Sequence, residues 1–211
     1  MINNQYVIDA ALLLPKDLND RIIELSSSLV RDYPPRITLG DQCLPHISLF
    51  MGVFSAEYLE TLYSKLITLS QEFSPIELEI ERIDSEELSA KDKSLIIHGL
   101  SLKSSKPLIK LHEALIKVLS PYLDHSKVNK QMFSNPEEID QEDTPWMFPY
   151  IENFIERSSY SKFKPHITIG DGLLKEGLPF QAQFTATYLA LCQLGNFCTC
   201  RKILSKTELK K

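Results

Sequence analysis

One stretch of the chain alternates cleanly between apolar and polar residues. Isoleucine or leucine occupies positions 76, 78 and 80, while glutamate occupies positions 77, 79 and 81. Because successive side chains of a strand point to opposite faces, this period of two predicts a half-buried strand over residues 76–83. Denser apolar runs predict further, more deeply buried strands. They cover residues 6–14, 44–54, 94–102 and 164–169, and a final hairpin of residues 183–194 and 199–206 around Gly195-Asn196.

Apolar residues recur every three or four positions in other segments. Leucine or isoleucine at positions 18, 22, 25 and 29, for example, shares one face of a helix. The helices predicted in this way cover residues 17–30, 56–73, 107–123 and, as a short element, 150–160. Polar residues predict a charged turn at 86–93 and a long surface loop at 124–149, which is rich in Asn, Asp, Glu and Pro.

The predicted elements repeat in the same order. Each half of the chain runs strand, helix and then a strand that opens with Pro-His-Ile. Pro45-His46-Ile47-Ser48-Leu49 in the first half returns as Pro165-His166-Ile167-Thr168-Ile169 in the second. The repeat predicts two related, interleaved lobes within one domain of residues 1–211, with 124–149 as a surface-loop insertion.

The spacing within each copy places two polar side chains on one face of its strand. Residues i and i+2 of a strand point the same way, so His46 projects with Ser48, and His166 projects with Thr168. If the two strands lie side by side, two imidazoles and two hydroxyls converge on one cleft. A single His-x-Ser/Thr pattern arises often by chance, but two copies with matching flanks and matching positions are much harder to dismiss.

These side chains suit the cleavage of a phosphoester. The reaction needs one group to accept a proton from the nucleophile and another to donate a proton to the leaving oxygen. Histidine, whose ordinary pKa is about 6.5, can do either near neutral pH. The hydroxyls of Ser48 and Thr168 can donate hydrogen bonds to phosphate oxygens, where negative charge builds up. The pattern therefore predicts a phosphodiesterase with His46 and His166 as catalytic residues and no metal or other cofactor.

The composition of the chain limits the kinds of molecule that it is expected to bind. The formal net charge of the 211 residues is −5, so the chain lacks the basic surplus that binding of long duplex nucleic acid requires. A nucleotide or a single RNA end needs only a few local donors. The N-terminal segment has the form of neither a signal peptide nor a membrane span. The four cysteines show no disulfide framework, so we expect a cytoplasmic protein. We also expect it to be monomeric and not to associate with a membrane.

Other catalytic patterns are missing from the sequence. There is no phosphate-binding glycine loop, no Gly-x-Ser-x-Gly, no His-Glu-x-x-His and no Cys-x-x-Cys. Cys198 and Cys200 lack the second pair that a zinc site needs. Of the remaining histidines, His112 lies in a predicted helix and is expected at the boundary of the core. His125, at the start of the loop, is expected to be solvated. His98, on a predicted strand, is the one other candidate for a cleft, and a structural role is favoured there too.

The paired motifs resemble the signature of the two-histidine (2H) phosphoesterase superfamily, in which two His-x-Ser/Thr patterns each have a hydrophobic fourth position. Both copies match in full, and the similarity of layout covers nearly the whole chain. The resemblance implies an α+β fold with two pseudo-symmetric lobes of antiparallel sheet, helices packed outside and a central groove. It also implies that His46 and His166 form the acid–base pair, while Ser48 and Thr168 bind the substrate phosphate.

Within that superfamily, the 2'-5' RNA ligase-like and cyclic phosphodiesterase branch resembles this chain most in size. It implies hydrolysis of 2',3'-cyclic phosphodiesters of nucleotides or RNA ends. The alternatives are an RNA 2'-5' ligase, a 3' exonuclease and a non-catalytic nucleotide-binding module. The acidic balance favours a small nucleotide, an oligonucleotide end or an ADP-ribose-type cyclic phosphate. Side chains expected to contact a base or a second phosphate are Phe50, Trp146, Arg36 and Lys164, with Tyr33, Phe133, Phe148 and Lys162 as further candidates.

Overall fold

Two four-stranded antiparallel sheets frame the molecule in a computed structural model that describes residues 4–89, 94–174, 180 and 182–210. The strands are β1 (Gln5–Leu13), β2 (His46–Ser55), β3 (Ile76–Ser89), β4 (Ser94–Leu102), β5 (His166–Asp171), β6 (Gln183–Ala186), β7 (Tyr188–Leu194) and β8 (Cys200–Glu208). The first sheet has the spatial order β2-β1-β7-β8, and the second has the order β5-β4-β3-β6. The histidine of each Pro-His-Ile motif is thus the first residue of an edge strand: β2 pairs with β1, and β5 pairs with β4.

The helices pack across the two halves of the chain. They are α1 (Lys16–Ser27), α2 (Leu59–Ser70), α3 (Lys106–Leu119), α4 (Met147–Glu152) and α5 (Phe154–Ser158). Helix α1 follows β1 in the chain but packs against β5 of the second sheet, while α3 follows β4 and packs against β2 of the first. The lobes therefore exchange helices. This arrangement confirms the predicted α+β fold, with two sheets, helices packed outside and a groove between the lobes.

A single cluster of buried apolar side chains continues from one sheet to the other. The apolar residues of both motifs belong to it: Ile47, Leu49, Ile167 and Ile169 are all fully buried. Each motif strand is therefore anchored on its inner face, which fixes the direction in which its histidine and hydroxyl point. In the described part of the chain, no helix is long and apolar enough to cross a membrane.

The predicted strand over residues 183–194 is two strands in different sheets. Residues 183–186 form β6 and pair with β3, whereas residues 188–194 form β7 and pair with β1. The chain crosses between the lobes at Thr187, and the expected terminal hairpin is formed by β7 and β8 alone. The predicted charged turn at 86–93 is also corrected, because β3 continues to Ser89 and pairs with β4; residues 90–93 lie outside the described residues.

The segment 124–149 has little regular structure, as expected for a loop, but it does not lie wholly on the surface. It contains two short 3₁₀ turns, and several of its apolar side chains join the core. The buried ones are Val128, Met132, Phe133, Ile139, Met147 and Phe148. The amide of Ser134 also donates a hydrogen bond to the Leu194 carbonyl (2.9 Å) of the first sheet. This packing holds the end of the segment, and Trp146 with it, at the groove.

Candidate active site

The two motif copies meet in one groove between the lobes. His46 and Ser48 from β2 and His166 and Thr168 from β5 line the same narrow cavity of about 180 Å³. A wider region of about 820 Å³ adjoins it and shares Ser48, His166 and Thr168. Two imidazoles and two hydroxyls from chain segments 120 residues apart therefore face one space, as the strand spacing predicted.

Both imidazoles are held in the same way. Nδ1 of His46 donates a hydrogen bond to the Leu44 carbonyl (2.8 Å), and Nδ1 of His166 donates one to the Lys164 carbonyl (3.0 Å). Because a carbonyl oxygen only accepts, Nδ1 carries the hydrogen in each ring. Nε2 is then the atom of each ring that is available to accept or donate a proton in the groove.

The two histidines differ in environment. The His46 side chain is 10% exposed, while His166 is an exposed residue at the mouth of the groove. Burial lowers the pKa of His46 to about 4, because desolvation disfavours its charged form; the Leu44 hydrogen bond raises the pKa and the nearby His166 lowers it further. His46 is therefore a neutral, shielded imidazole at neutral pH. Unequal environments of this kind separate the roles of an acid and a base.

A buried carboxylate lies beside His46. Asp9 of β1 is fully buried, and its Oδ2 is 3.4 Å from Nε2 of His46. Burial raises the pKa of Asp9 to about 8, although the Ser48 hydroxyl and the amides of Phe50 and Leu49 favour the charged form. Sequence reasoning missed this residue. Its signal was a lone acidic residue inside the apolar run of β1, since a charge on a buried strand needs a partner.

A β-bulge in β2 decides which side chains face the groove. Ala10 pairs with Phe50 and Ala11 pairs with Ser48, so Leu49 is an extra residue in the strand. Beyond the bulge, the alternation shifts by one position, and Met51 rather than Phe50 lines the cavity. Phe50 is fully buried, so the expectation that it stacks on a base does not hold. Its ring packs edge-on against Phe54 and Phe154, with centroids 6.2 Å away in both cases.

His112 supports the bulge from behind. Its Nδ1 donates a hydrogen bond to the Leu49 carbonyl (2.7 Å), and its Nε2 accepts one from the Tyr160 amide (3.1 Å). Its ring stacks on Phe163, three residues before His166, at a centroid distance of 3.9 Å. The side chain is fully buried. His112 therefore has a structural role, but it lies within the core instead of at the boundary where it was expected, and it links the two motif strands.

His98 also has its ring nitrogens satisfied. Nε2 donates a hydrogen bond to the Gly172 carbonyl (2.8 Å), so Nδ1 accepts one from the Ser85 hydroxyl (2.8 Å). It borders the wide region of the groove but is only 5% exposed. Both nitrogens are engaged, which agrees with the structural role favoured from the sequence.

The remaining predicted contacts fall into two groups. Trp146 borders the narrow cavity and Lys164 the wide region, so both are placed to meet a bound molecule. Arg36 does not line either region: its guanidinium pairs with Asp143. Phe133 and Phe148 stack on each other in the core, with centroids 5.6 Å apart, and are also removed from the groove.

Charge is distributed unevenly around the wide region. Asp84 and Glu86 of β3 lie on one side, and Arg157, Lys162 and Lys164 lie near the approach to β5. In the described ranges, no group of three His, Cys, Asp or Glu side chains converges in a way that could hold a metal ion. The motif residues that line the groove offer proton transfer by two imidazoles and hydrogen bonding by two hydroxyls.

Comparisons with known proteins agree with this arrangement. A sequence profile of the 2'-5' RNA ligase superfamily matches residues 15–194. No curated protein sequence matches the chain. Among solved structures, E. coli LigT in its apo form is 16% identical, with a TM-score of 0.56 over 99% of this chain and 100% of that one. The protein TT0787 of Thermus thermophilus is also 16% identical, with a TM-score of 0.56 over 96% and 97% of the two chains.

The structural likeness by itself concerns the fold, since these identities are low. The sequence profile adds the family, because it spans most of the chain and includes both motif copies. This chain therefore belongs to the 2'-5' RNA ligase superfamily, the two-histidine phosphoesterase-type enzymes that its paired motifs resemble.

Proposed function

We propose that this protein hydrolyses 2',3'-cyclic phosphodiesters of nucleotides or RNA ends to monoesters, without a metal cofactor. The observation that carries the proposal is the matched tethering of His46 and His166. Each ring bonds a backbone carbonyl through Nδ1, which leaves both Nε2 atoms available at one groove. Hydrolysis of a phosphodiester needs a base and an acid on opposite sides of one phosphorus atom.

In the proposed reaction, the cyclic phosphate lies between the two motif strands. One histidine removes a proton from a water molecule, whose oxygen attacks phosphorus. The bond from phosphorus to one ribose oxygen breaks, and the other histidine donates a proton to that oxygen. Ser48 and Thr168 donate hydrogen bonds to the non-bridging oxygens as their negative charge grows.

The size and lining of the groove support a nucleotide or an RNA terminus as the substrate. The wide region has the volume of an ordinary ligand pocket, roughly 300–1,000 Å³. Trp146 is placed to stack on a base, and Lys164 to meet a second phosphate. E. coli LigT has been solved with 3'-AMP, with NADP+ and with ATP, which are ligands of that protein and support the same class here. The net charge of −5 argues against long duplexes.

A second candidate function uses the same four residues on a longer RNA, as a 2'-5' ligase or a 3' exonuclease. The observation that favours it is the open, wide region with Arg157, Lys162 and Lys164 at its edge, which could follow a second and third phosphate. Binding that weakens steeply with salt would support this candidate. The monomeric state and cytoplasmic location stay predictions from the sequence.

The test is turnover of 2',3'-cyclic nucleotides, cyclic-phosphate-ended RNA and ADP-ribose 1'',2''-cyclic phosphate in the presence of EDTA. His46→Ala and His166→Ala should each lower the rate by roughly 10²–10⁴-fold, the contribution of a positioned acid or base. Ser48→Ala and Thr168→Ala should lower it less. His125→Ala is the matched control, because His125 is exposed and borders neither region of the groove. Activity that survives the loss of both motif histidines would refute the proposal.

A further inference from the structure

The carboxyl of Asp9 is a buried polar group in the otherwise apolar run of β1. Asp9 is fully buried, and within the described residues neither of its oxygens has a hydrogen-bond partner of normal geometry. Its closest ionisable neighbour is His46, whose Nε2 is 3.4 Å from Oδ2. The Ser48 hydroxyl and the amides of Leu49 and Phe50 favour a charged Asp9, but burial outweighs them, so an ionised carboxyl here is costly unless a positive charge is paired with it. An acid at this position is therefore expected to be neutral or to be paired with a positive charge.

The tautomer of His46 determines how this can happen. Its Nδ1 donates to the Leu44 carbonyl, so a neutral ring carries its lone pair on Nε2, the atom that lies 3.4 Å from Oδ2 of Asp9. Without a proton on either group, an unprotonated Nε2 and a carboxylate oxygen would lie 3.4 Å apart, and the pair would carry a buried negative charge. One proton removes this conflict in either position. On Asp9 it gives two neutral groups, and on Nε2 it gives an ion pair; both forms have zero net charge.

We propose that Asp9 is a positioning residue that shares one proton with His46, and that this pair makes His46 the general acid and His166 the general base. The assignment rests on the proposed function. An incoming phosphate brings negative charge to the groove, which favours the ion-pair form with the proton on Nε2. His46 then donates this proton to the leaving ribose oxygen, which leaves Asp9 as a carboxylate. His166 releases to solvent the proton that it took from water, and a proton from solvent restores the pair.

The surroundings of the pair do not compete for this proton near neutral pH. Cys192 on β7 and Cys198 before β8 both have pKa values above the ordinary value for a thiol, Cys192 chiefly through its neighbour Cys200 and Cys198 through burial. Burial raises the pKa of Tyr150 on α4 to about 12. The other charged or titratable groups at the narrow cavity are Glu86 on β3 and His166 on β5. Asp9 and His46 are thus the buried groups there that exchange a proton between about pH 4 and pH 8.

The first test follows the ring of His46 by NMR as pH is varied, which requires no turnover. In the unmodified protein, the His46 signals should shift near pH 8, when the pair loses its proton, and again near pH 4. In Asp9→Asn the shift near pH 8 should be absent. Asp171→Asn is the matched control, since Asp171 is equally buried but accepts hydrogen bonds from the amides of Arg36 and Ile37, and both shifts should persist there.

The proposal is overturned if the shift near pH 8 is missing from the unmodified protein or survives in Asp9→Asn. Should Asp9→Asn fail to fold, the carboxyl carbon of Asp9 in the unmodified protein gives the answer. A signal typical of a protonated carboxyl at pH 6 that changes together with the His46 ring supports the pair, and a signal typical of a carboxylate at that pH overturns it.

The second test separates an acid from a base by the leaving group. Asp9→Asn should slow hydrolysis of a 2',3'-cyclic nucleotide by about 10²-fold, the lower end of what a positioned acid contributes. It should slow a p-nitrophenyl phosphodiester by less than about 10-fold, because nitrophenolate departs without a proton. His166→Ala should slow both. Equal losses of Asp9→Asn on both substrates would overturn the assignment of His46 as the acid. If the unmodified protein cleaves neither substrate, the proposed function fails, while the NMR titration still decides whether the proton is shared.

Discussion

Asp9 and His46 should make the free energy of unfolding depend on pH, because both groups titrate at different pH values in the folded and unfolded chain. In the unfolded chain, these groups titrate at their ordinary values of 3.8 and 6.5, whereas in the fold Asp9 titrates at about 8 and His46 at about 4. The raised pKa of Asp9 contributes stability that is lost as pH rises towards 8. The lowered pKa of His46 contributes stability that is lost as pH falls towards 4.

The two contributions combine in a simple way. Between about pH 4 and 6.5, the folded pair holds one proton on Asp9 and the unfolded pair holds one on His46, so their sum does not change the stability. Between pH 6.5 and 8, the folded pair still holds a proton and the unfolded pair holds none. The free energy of unfolding should then fall by about 1.4 kcal/mol per pH unit, or about 2 kcal/mol over this window.

Asp9→Asn should reverse this pattern. The amide has no proton to lose, so the decline between pH 6.5 and 8 should disappear. His46 alone would then make the variant more stable as pH rises from 4 to 6.5. The assay is urea unfolding at several pH values for the unmodified protein, for Asp9→Asn and for Asp171→Asn as the buried Asp→Asn control. Parallel stability curves for the unmodified protein and Asp9→Asn would show that Asp9 is ionised in the fold and would rule out the shared proton.

Three further predictions concern packing and substrate contacts. His112→Ala leaves the buried carbonyl at the β-bulge without its donor and opens a cavity, so the free energy of unfolding in urea should fall by about 2–4 kcal/mol. Gly52→Ala places a Cβ against Cδ2 of Leu123, well inside van der Waals contact, which should lower stability by about 1–2 kcal/mol; adding Leu123→Ala should remove this clash in a double-mutant cycle. Trp146→Ala and Lys164→Ala should raise KM for a cyclic nucleotide more than they lower kcat, and a loss in kcat alone would exclude a binding role.

Much of the fold and the position of the motifs follow from the sequence. Strand β4 has the predicted bounds, because its apolar run is followed by a stretch that contains Ser and Pro. The pairs His46 with Ser48 and His166 with Thr168 share a groove because their strands have apolar anchors at the alternate positions. Local patterns of this kind depend only on the period of a strand.

The features that sequence patterns missed depend on contacts between distant segments. Nothing in the apolar pattern of residues 183–194 says that its two ends pair with different sheets. The expectation that Phe50 contacts a base was wrong because the sequence does not reveal the extra residue at Leu49, and Phe50 is buried in the core. Asp9 lies beside His46, which is 37 positions later in the chain, only because β1 pairs with β2, so its place at the site could not be predicted from the local sequence. In each case a tertiary contact overrides a local rule.

In the proposed reaction, two imidazoles from separate halves of the chain transfer protons across one phosphorus atom. The most direct measurement is ³¹P NMR of a 2',3'-cyclic nucleotide incubated with the protein and EDTA, compared with the double variant His46→Ala/His166→Ala. The cyclic phosphate signal should convert to a monoester signal with the unmodified protein and with His125→Ala, and it should persist with the double variant. Conversion by the double variant at the unmodified rate would contradict this mechanism.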